Sequence, residues 1–99
     1  SPAPLPVARG LRLGNTPNPF NPLTTIWFEQ STSGRVRLSI YDLRGREVGG
    51  KVWPAAPAGR SEYRWNGLDR TDRPLPSGVY LYRVETNTVS STRRMSLIR

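Results

Sequence analysis

The sequence predicts an all-β protein, an antiparallel sandwich of about seven short strands with no disulfide. Three observations carry this. Residues 35–41 (RVRLSIY) place Val36, Leu38 and Ile40 on one face and Arg35, Arg37 and Ser39 on the other, the period of two of a strand with one side on a core and one in water. Residues 79–85 (VYLYRVE) form a second, stronger β-branched and aromatic run. Clusters of Gly, Pro, Asn and Asp recur roughly every ten residues, and no segment holds a helical period.

The elements follow in order. Residues 1–9 (SPAPLPVAR) space their prolines as an extended, solvated lead and read as a linker remnant, leaving residues 10–99 as one domain. In residues 15–22 (NTPNPFNP) the prolines at 17, 19 and 22 fix φ, remove donors and push Thr16, Asn18 and Asn21 out of the helical region. The expected product is a stiff, non-pairing approach that delivers Phe20 to the core. Residues 24–29 (TTIWFE) are then a strand, and Ser33-Gly34 a turn. After the 35–41 strand, Asp42-Leu43-Arg44-Gly45 turns the chain into a weaker strand at 46–53, whose paired Gly49-Gly50 indicate a bulge or a sheet edge. Residues 54–59 (PAAPAG) are expected as a loop and 61–65 (SEYRW) as a strand with Tyr63 and Trp65 inward. A long loop reaches Gly78, and strands at 79–85 and 88–98 close the domain. The expected core is Ile26, Phe28, Val36, Leu38, Ile40, Trp65, Tyr80, Tyr82 and Leu97. The architecture is immunoglobulin-like, without the Cys…Trp…Cys signature.

Composition narrows the function. With neither histidine nor cysteine, a Ser-His-Asp triad, thiol catalysis and a Cys/His metal site are all impossible. The seven carboxylates sit mostly alone among arginines, so no acid pair is indicated and no catalysis is expected. No stretch approaches the roughly 20 apolar residues of a membrane helix. The net charge of +8 comes from scattered residues, all arginine except Lys51. Arg35 and Arg37, extended by Arg83 or Arg93, could face a nucleic acid. The aromatics fall at positions expected to be buried, however, so a solvated face is the expectation. Asn66, Asp69 and Asp72, spaced by three in one loop, are candidate calcium ligands, with turn capping as the alternative. Trp27 or Trp53 could stack on a sugar if exposed. No cofactor is expected.

Five blocks taken in order carry a family resemblance: Asn18-Pro19-Phe20-Asn21-Pro22; residues 41–48 (YDLRGREV); residues 65–69 (WNGLD); Arg73-Pro74 with residues 77–84 (SGVYLYRV); and residues 94–99 (RMSLIR). Together they resemble the C-terminal sorting domain of proteins exported by the type IX (Por) secretion system. That family is itself similar to the immunoglobulin-like domain of flagellar hook-capping proteins. The resemblance implies a non-catalytic sandwich that directs an upstream cargo protein through the outer-membrane translocon. The protein would pass transiently through the periplasm of a Gram-negative-type bacterium and be secreted or held at the cell surface. The implied partners are the outer-membrane secretion machinery, a sortase-like processing enzyme and the cargo, with no nucleic acid. Carried over by position, the recognition residues are Asn18, Pro19, Asn21, Pro22, Gly78, Val79, Tyr80, Arg94, Met95, Leu97 and Arg99. Thr16, Asn66 and Arg99 stand where the family more often has tyrosine, aspartate and lysine. An exposed edge or the terminal strand could pair with a receptor by strand addition. The alternative functions are a spacer or accessory sandwich packed on a catalytic or assembly partner, and a weak carbohydrate-binding module.

Overall fold

The computed structural model describes residues 10–99; the expected linker at 1–9 lies outside the described residues. Seven strands follow one another: β1 (Leu11–Thr16), β2 (Thr24–Gln30), β3 (Gly34–Tyr41), β4 (Glu47–Ala56), β5 (Gly59–Trp65), β6 (Gly78–Glu85) and β7 (Ser90–Leu97). They form two antiparallel sheets, one ordered β1-β2-β5 and the other β4-β3-β6-β7. The inward faces enclose a single core, and all nine residues expected there are buried in it. Phe20, Val48, Ala56, Leu75, Val84 and Met95 complete it together with Leu11 and Leu13 of β1.

Strand β1 is the element that the residue pattern does not announce. Leu11 and Leu13 alternate with exposed Arg12, a short period-two signal that Gly14 and the prolines beyond it obscure. The 54–59 segment is not a loop throughout. β4 continues through Pro54 to Ala56, which pairs with Gly34, and β5 already begins at Gly59. A proline is tolerated there because β4 is the outer strand of its sheet and owes no donor to a neighbour on that side.

Gly49 and Gly50 mark both a bulge and an edge. Ile40 faces Gly49 while Tyr41 faces Glu47, so Val48 is the extra residue, and it is buried. At Gly50, with φ of 149°, a Cβ would be driven into the Leu38 carbonyl oxygen, and only glycine lets β4 lie so close. Lys51 points toward the inner side of this edge and holds its ammonium 5.1 Å from the Trp53 ring centre. A charge placed there discourages a further strand.

Ser39 corrects the expected solvent face of β3. It lies on the outer side, yet it is 0% exposed, and its hydroxyl has no hydrogen-bond partner. Its cross-strand partners are Gly50 and Arg83. In the centre of a four-stranded sheet, the long side chains around a serine close over it. An unpaired buried hydroxyl costs more than it contributes. Ser39→Ala is therefore expected to leave unfolding free energy unchanged or raise it by about 1 kcal/mol in urea titration.

Candidate functional site

The sequence blocks that carry the candidate recognition residues meet at one pole of the sandwich. At this pole β1, β3 and β5 end and β2, β4 and β6 begin. The Asn-Pro segment lies along the end of β7. The Phe20 N–H donates to the Ser96 carbonyl (2.9 Å), and the Ile98 N–H donates to the Phe20 carbonyl (2.8 Å). The Ser96 N–H donates to Asn18 Oδ1 (3.0 Å). Phe20 and Leu97 thus form a parallel bridge, so the segment is not the non-pairing approach that its prolines imply. Its three X-Pro peptides, at 17, 19 and 22, are all cis. Beneath it, Trp65 lies between Phe20 (ring centres 5.8 Å apart) and Tyr80 (5.7 Å).

Side chains lock the neighbouring connections. The Thr24 hydroxyl and the Asn15 amide both donate to the Pro17 carbonyl. The Asn15 amide also donates to Thr24 Oγ1, and the Tyr82 hydroxyl donates to Asn15 Oδ1 (3.1 Å). Burial pushes the Tyr82 phenol up to about 12. Neither Asn15 nor Thr24 was singled out from the sequence. Their role needs a partner in the proline segment, which local periodicity does not reveal. On the other flank, the Arg99 guanidinium donates to the carbonyls of Leu75 and Gly67, and its backbone N–H donates to Ser77 Oγ. Gly67, at φ +76°, leaves room for this: a Cβ would sit 2.9 Å from the guanidinium. The Trp65 indole donates to the Leu68 carbonyl and the Tyr80 hydroxyl to that of Pro76, so the 66–77 loop is held from several sides.

Two turns at this pole are built alike. In residues 42–46, Asp42 Oδ1 accepts the N–H groups of Arg44 and Arg46, Gly45 N–H donates to the Asp42 carbonyl, and Asp42 N–H donates to that of Arg46. Residues 69–73 repeat each bond: Asp69 Oδ1 accepts from Thr71 and Arg73, Asp72 N–H donates to the Asp69 carbonyl, and Asp69 N–H donates to that of Arg73. Gly45 (φ +86°) and Asp72 (φ +64°) occupy the same left-handed position. The N–H donors hold both carboxyls below the ordinary carboxylate value of 3.8, led by Arg46 for Asp42 and by Arg73 for Asp69.

These bonds bear on the candidate calcium ligands. Asn66, Asp69 and Asp72 all border one open groove of about 630 Å³ between β4, β5 and the 66–77 loop. Asp69 Oδ1 is engaged by the two turn amides and the Thr71 hydroxyl, which is the capping alternative. Among the described residues no group of three or more acidic side chains is placed to hold a metal ion.

The candidate recognition residues divide by depth. Tyr80, Met95 and Leu97 are buried, so they shape the pole from beneath and offer nothing to touch. Asn18, Pro19, Asn21, Pro22, Gly78, Arg94 and Arg99 are exposed, and Val79 is half-buried on the outer face. Arg99 nonetheless spends its backbone N–H, Nε and Nη2 on the loop. The sugar and nucleic-acid options lose surface. The Trp27 ring lies against Gly14 and carries the Arg60 guanidinium 4.4 Å from its centre, while Trp53 packs edge-on against Phe28. Arg37 and Arg83 are paired with Glu47 and Glu85, interrupting a basic stripe.

An antiparallel two-sheet sandwich with this strand order, held without a cysteine, defines a domain of the immunoglobulin-like class. The chain belongs to the FlgD Ig-like domain family, which matches residues 21–90. No curated protein matches it in sequence. Among solved structures it is similar to dimeric latent PorU from Porphyromonas gingivalis (TM-score 0.71, 20% identity, 89% of this chain and 9% of that one). It is also similar to PorZ, described as an essential bacterial surface component of the type-IX secretion system of the same organism (0.64, 24%, 88% and 11%). FlgD from P. aeruginosa follows (0.59, 21%, 91% and 66%). These are likenesses of fold, and the chain spans about a tenth of the PorU and PorZ chains.

Phe20→Ala should cost about 3–5 kcal/mol in urea unfolding, because it empties one side of the Trp65 stack. The two capped aspartates set an acid limb. Their carboxyls are more acidic folded than unfolded, so they stabilise the fold above the unfolded value and lose that contribution as pH falls through the lower folded values. The urea midpoint should decline from about pH 5 downward. The double variant Asp42→Asn, Asp69→Asn should show a flatter decline.

Proposed function

We propose that this domain is a non-catalytic sorting module that takes an upstream cargo protein across the outer membrane through the type IX translocon, to the medium or the cell surface. The observation that carries this reading is the convergence of the Asn-Pro segment, the start of β6 and the end of β7 on one pole, joined by the Asn18 and Phe20 hydrogen bonds. A folded surface assembled from distant segments suits an address read by a receptor, and it needs no reactive group. The fold likeness to PorZ, a surface component of that system, supports the same reading. Among the described residues no helix is long and apolar enough to cross a membrane. The exposed residues Asn18, Pro19, Asn21, Pro22, Gly78 and Arg94, with Val79, are the proposed contact set. Tyr80, Met95, Leu97 and Arg99 hold it in shape. Processing by a sortase-like enzyme is part of the proposal.

A spacer or assembly role is the second reading. Its support is an outward apolar stripe on the larger sheet, where Tyr41 and Leu81 face one another beside Val79, with Leu43 (69% exposed) and Ile98 (50%) near it. The two readings separate in an export assay. The full 99-residue chain is fused behind a periplasm-directed fluorescent protein in a bacterium carrying the type IX system. Surface or medium fluorescence that disappears in a translocon-null strain is the expected result. Asn18→Ala with Pro19→Ala should reduce export severalfold while the domain stays folded by circular dichroism. Periplasmic retention of a folded wild-type fusion would favour the spacer.

A further inference from the structure

We infer that the upper part of the β7 edge, residues 90–94, is a docking rail for an extended acidic segment of a partner protein, added as a fifth strand to the larger sheet. This rail does not depend on the sorting proposal, and its test uses no secretion machinery.

Backbone groups of a strand alternate sides, and Ser96 and Ile98 face away from β6, since they bond the Asn18–Phe20 segment. Ser90, Thr92 and Arg94 have the same parity, so their N–H and C=O groups also face outward. No described residue pairs with them. Among the described residues, one end of this edge is covered by the protein's own segment and the other is open. The Phe20–Leu97 bridge shows the same edge already pairing with a further segment at its other end.

The other edges are blunted. β4 carries a bulge, Pro54 and inward-pointing Lys51, and the Arg70 guanidinium binds Glu47 at its start. β1 has six residues and runs into the prolines. On β5, Arg60 is paired to both Glu29 and Glu62, which leaves Arg64 as its one arginine without a carboxylate partner among the described residues, not two adjacent ones. β7 instead runs eight residues in unbroken register, without proline, glycine or bulge.

Charge selects the occupant. Arg93 and Arg94 are adjacent, so they project to opposite faces of the sheet, and neither has a carboxylate partner among the described residues. With Gly14, Asn15, Asn18 and Tyr82 they border a groove of about 360 Å³ beside the edge. A second copy of β7 would set arginine against arginine, and an apolar strand would leave both guanidinium groups beside it without counter-charge. A strand with two neighbouring carboxylates meets one arginine on each face.

The test is amide exchange and titration by NMR on the full chain, with the blocked peptide VTVEETV as probe and VTVQQTV as control. Binding of the acidic peptide should protect the Thr92 and Arg94 amides, with the control at least fivefold weaker. Thr92→Pro removes one outward donor and no bond to β6, and should weaken binding at least tenfold at an unchanged melting temperature. If that variant does not fold, Arg93→Glu with Arg94→Glu decides: abolished binding upholds the rail, retained binding overturns it. Protection at β1, β4 or β5, equal binding of the control, or no binding at millimolar peptide would also overturn it.

Discussion

The short ladder between Phe20 and the end of β7 is the contact on which the rest of this domain depends. Two backbone hydrogen bonds and one that Asn18 Oδ1 accepts fasten the β1–β2 connection to the far sheet. That connection crosses from the three-stranded sheet to the edge of the four-stranded one, so it closes the sandwich at one end. With the connection fixed, Phe20 is held over Trp65, and Trp65 over Tyr80. The loop at 66–77 then finds its donors in the same aromatic side chains and in Arg99. In a chain without disulfides, this is how distant segments are tied together.

The repeated aspartate turn shows a second economy. One five-residue design, with a carboxylate oxygen bridging two amides and a left-handed fourth residue, closes the β3–β4 hairpin and also shapes the long loop before β6. Glycine fills the left-handed position in one turn and Asp72 in the other. Aspartate is among the few residues that tolerate this conformation, so the second turn is less obvious in the sequence. Arg70, inside that second turn, reaches back to Glu47 at the start of β4 and links the two regions.

Much of the fold was legible because strand alternation is a local signal. β3 and β6 declare their inner faces residue by residue, and each expected core position is buried. The failures are places where a neighbouring chain decides the outcome. Ser39 reads as solvent-facing until β4 and β6 flank it. Pro54 reads as a loop residue until β4 proves to be an edge. β1 is too short to announce itself against the prolines. The candidate site was legible as a set of blocks but not as a surface. Periodicity places Val79 and Tyr80 on opposite faces, yet only the pairing with β7 shows that Met95 and Leu97 lie under the pole while Arg94 lies on it. That Asn18 bonds to Ser96 spans 78 positions, and no local pattern could reveal it.

The position of Gly10 has a consequence for anything borne ahead of this domain. Its carbonyl accepts the Ser31 N–H at the end of β2, so the chain enters at the pole opposite Phe20 and Arg99. A strand of seven or eight residues separates the two by roughly 23–27 Å. A body joined ahead of Gly10 would therefore start on the far side of the sandwich from the Asn18–Phe20 ladder.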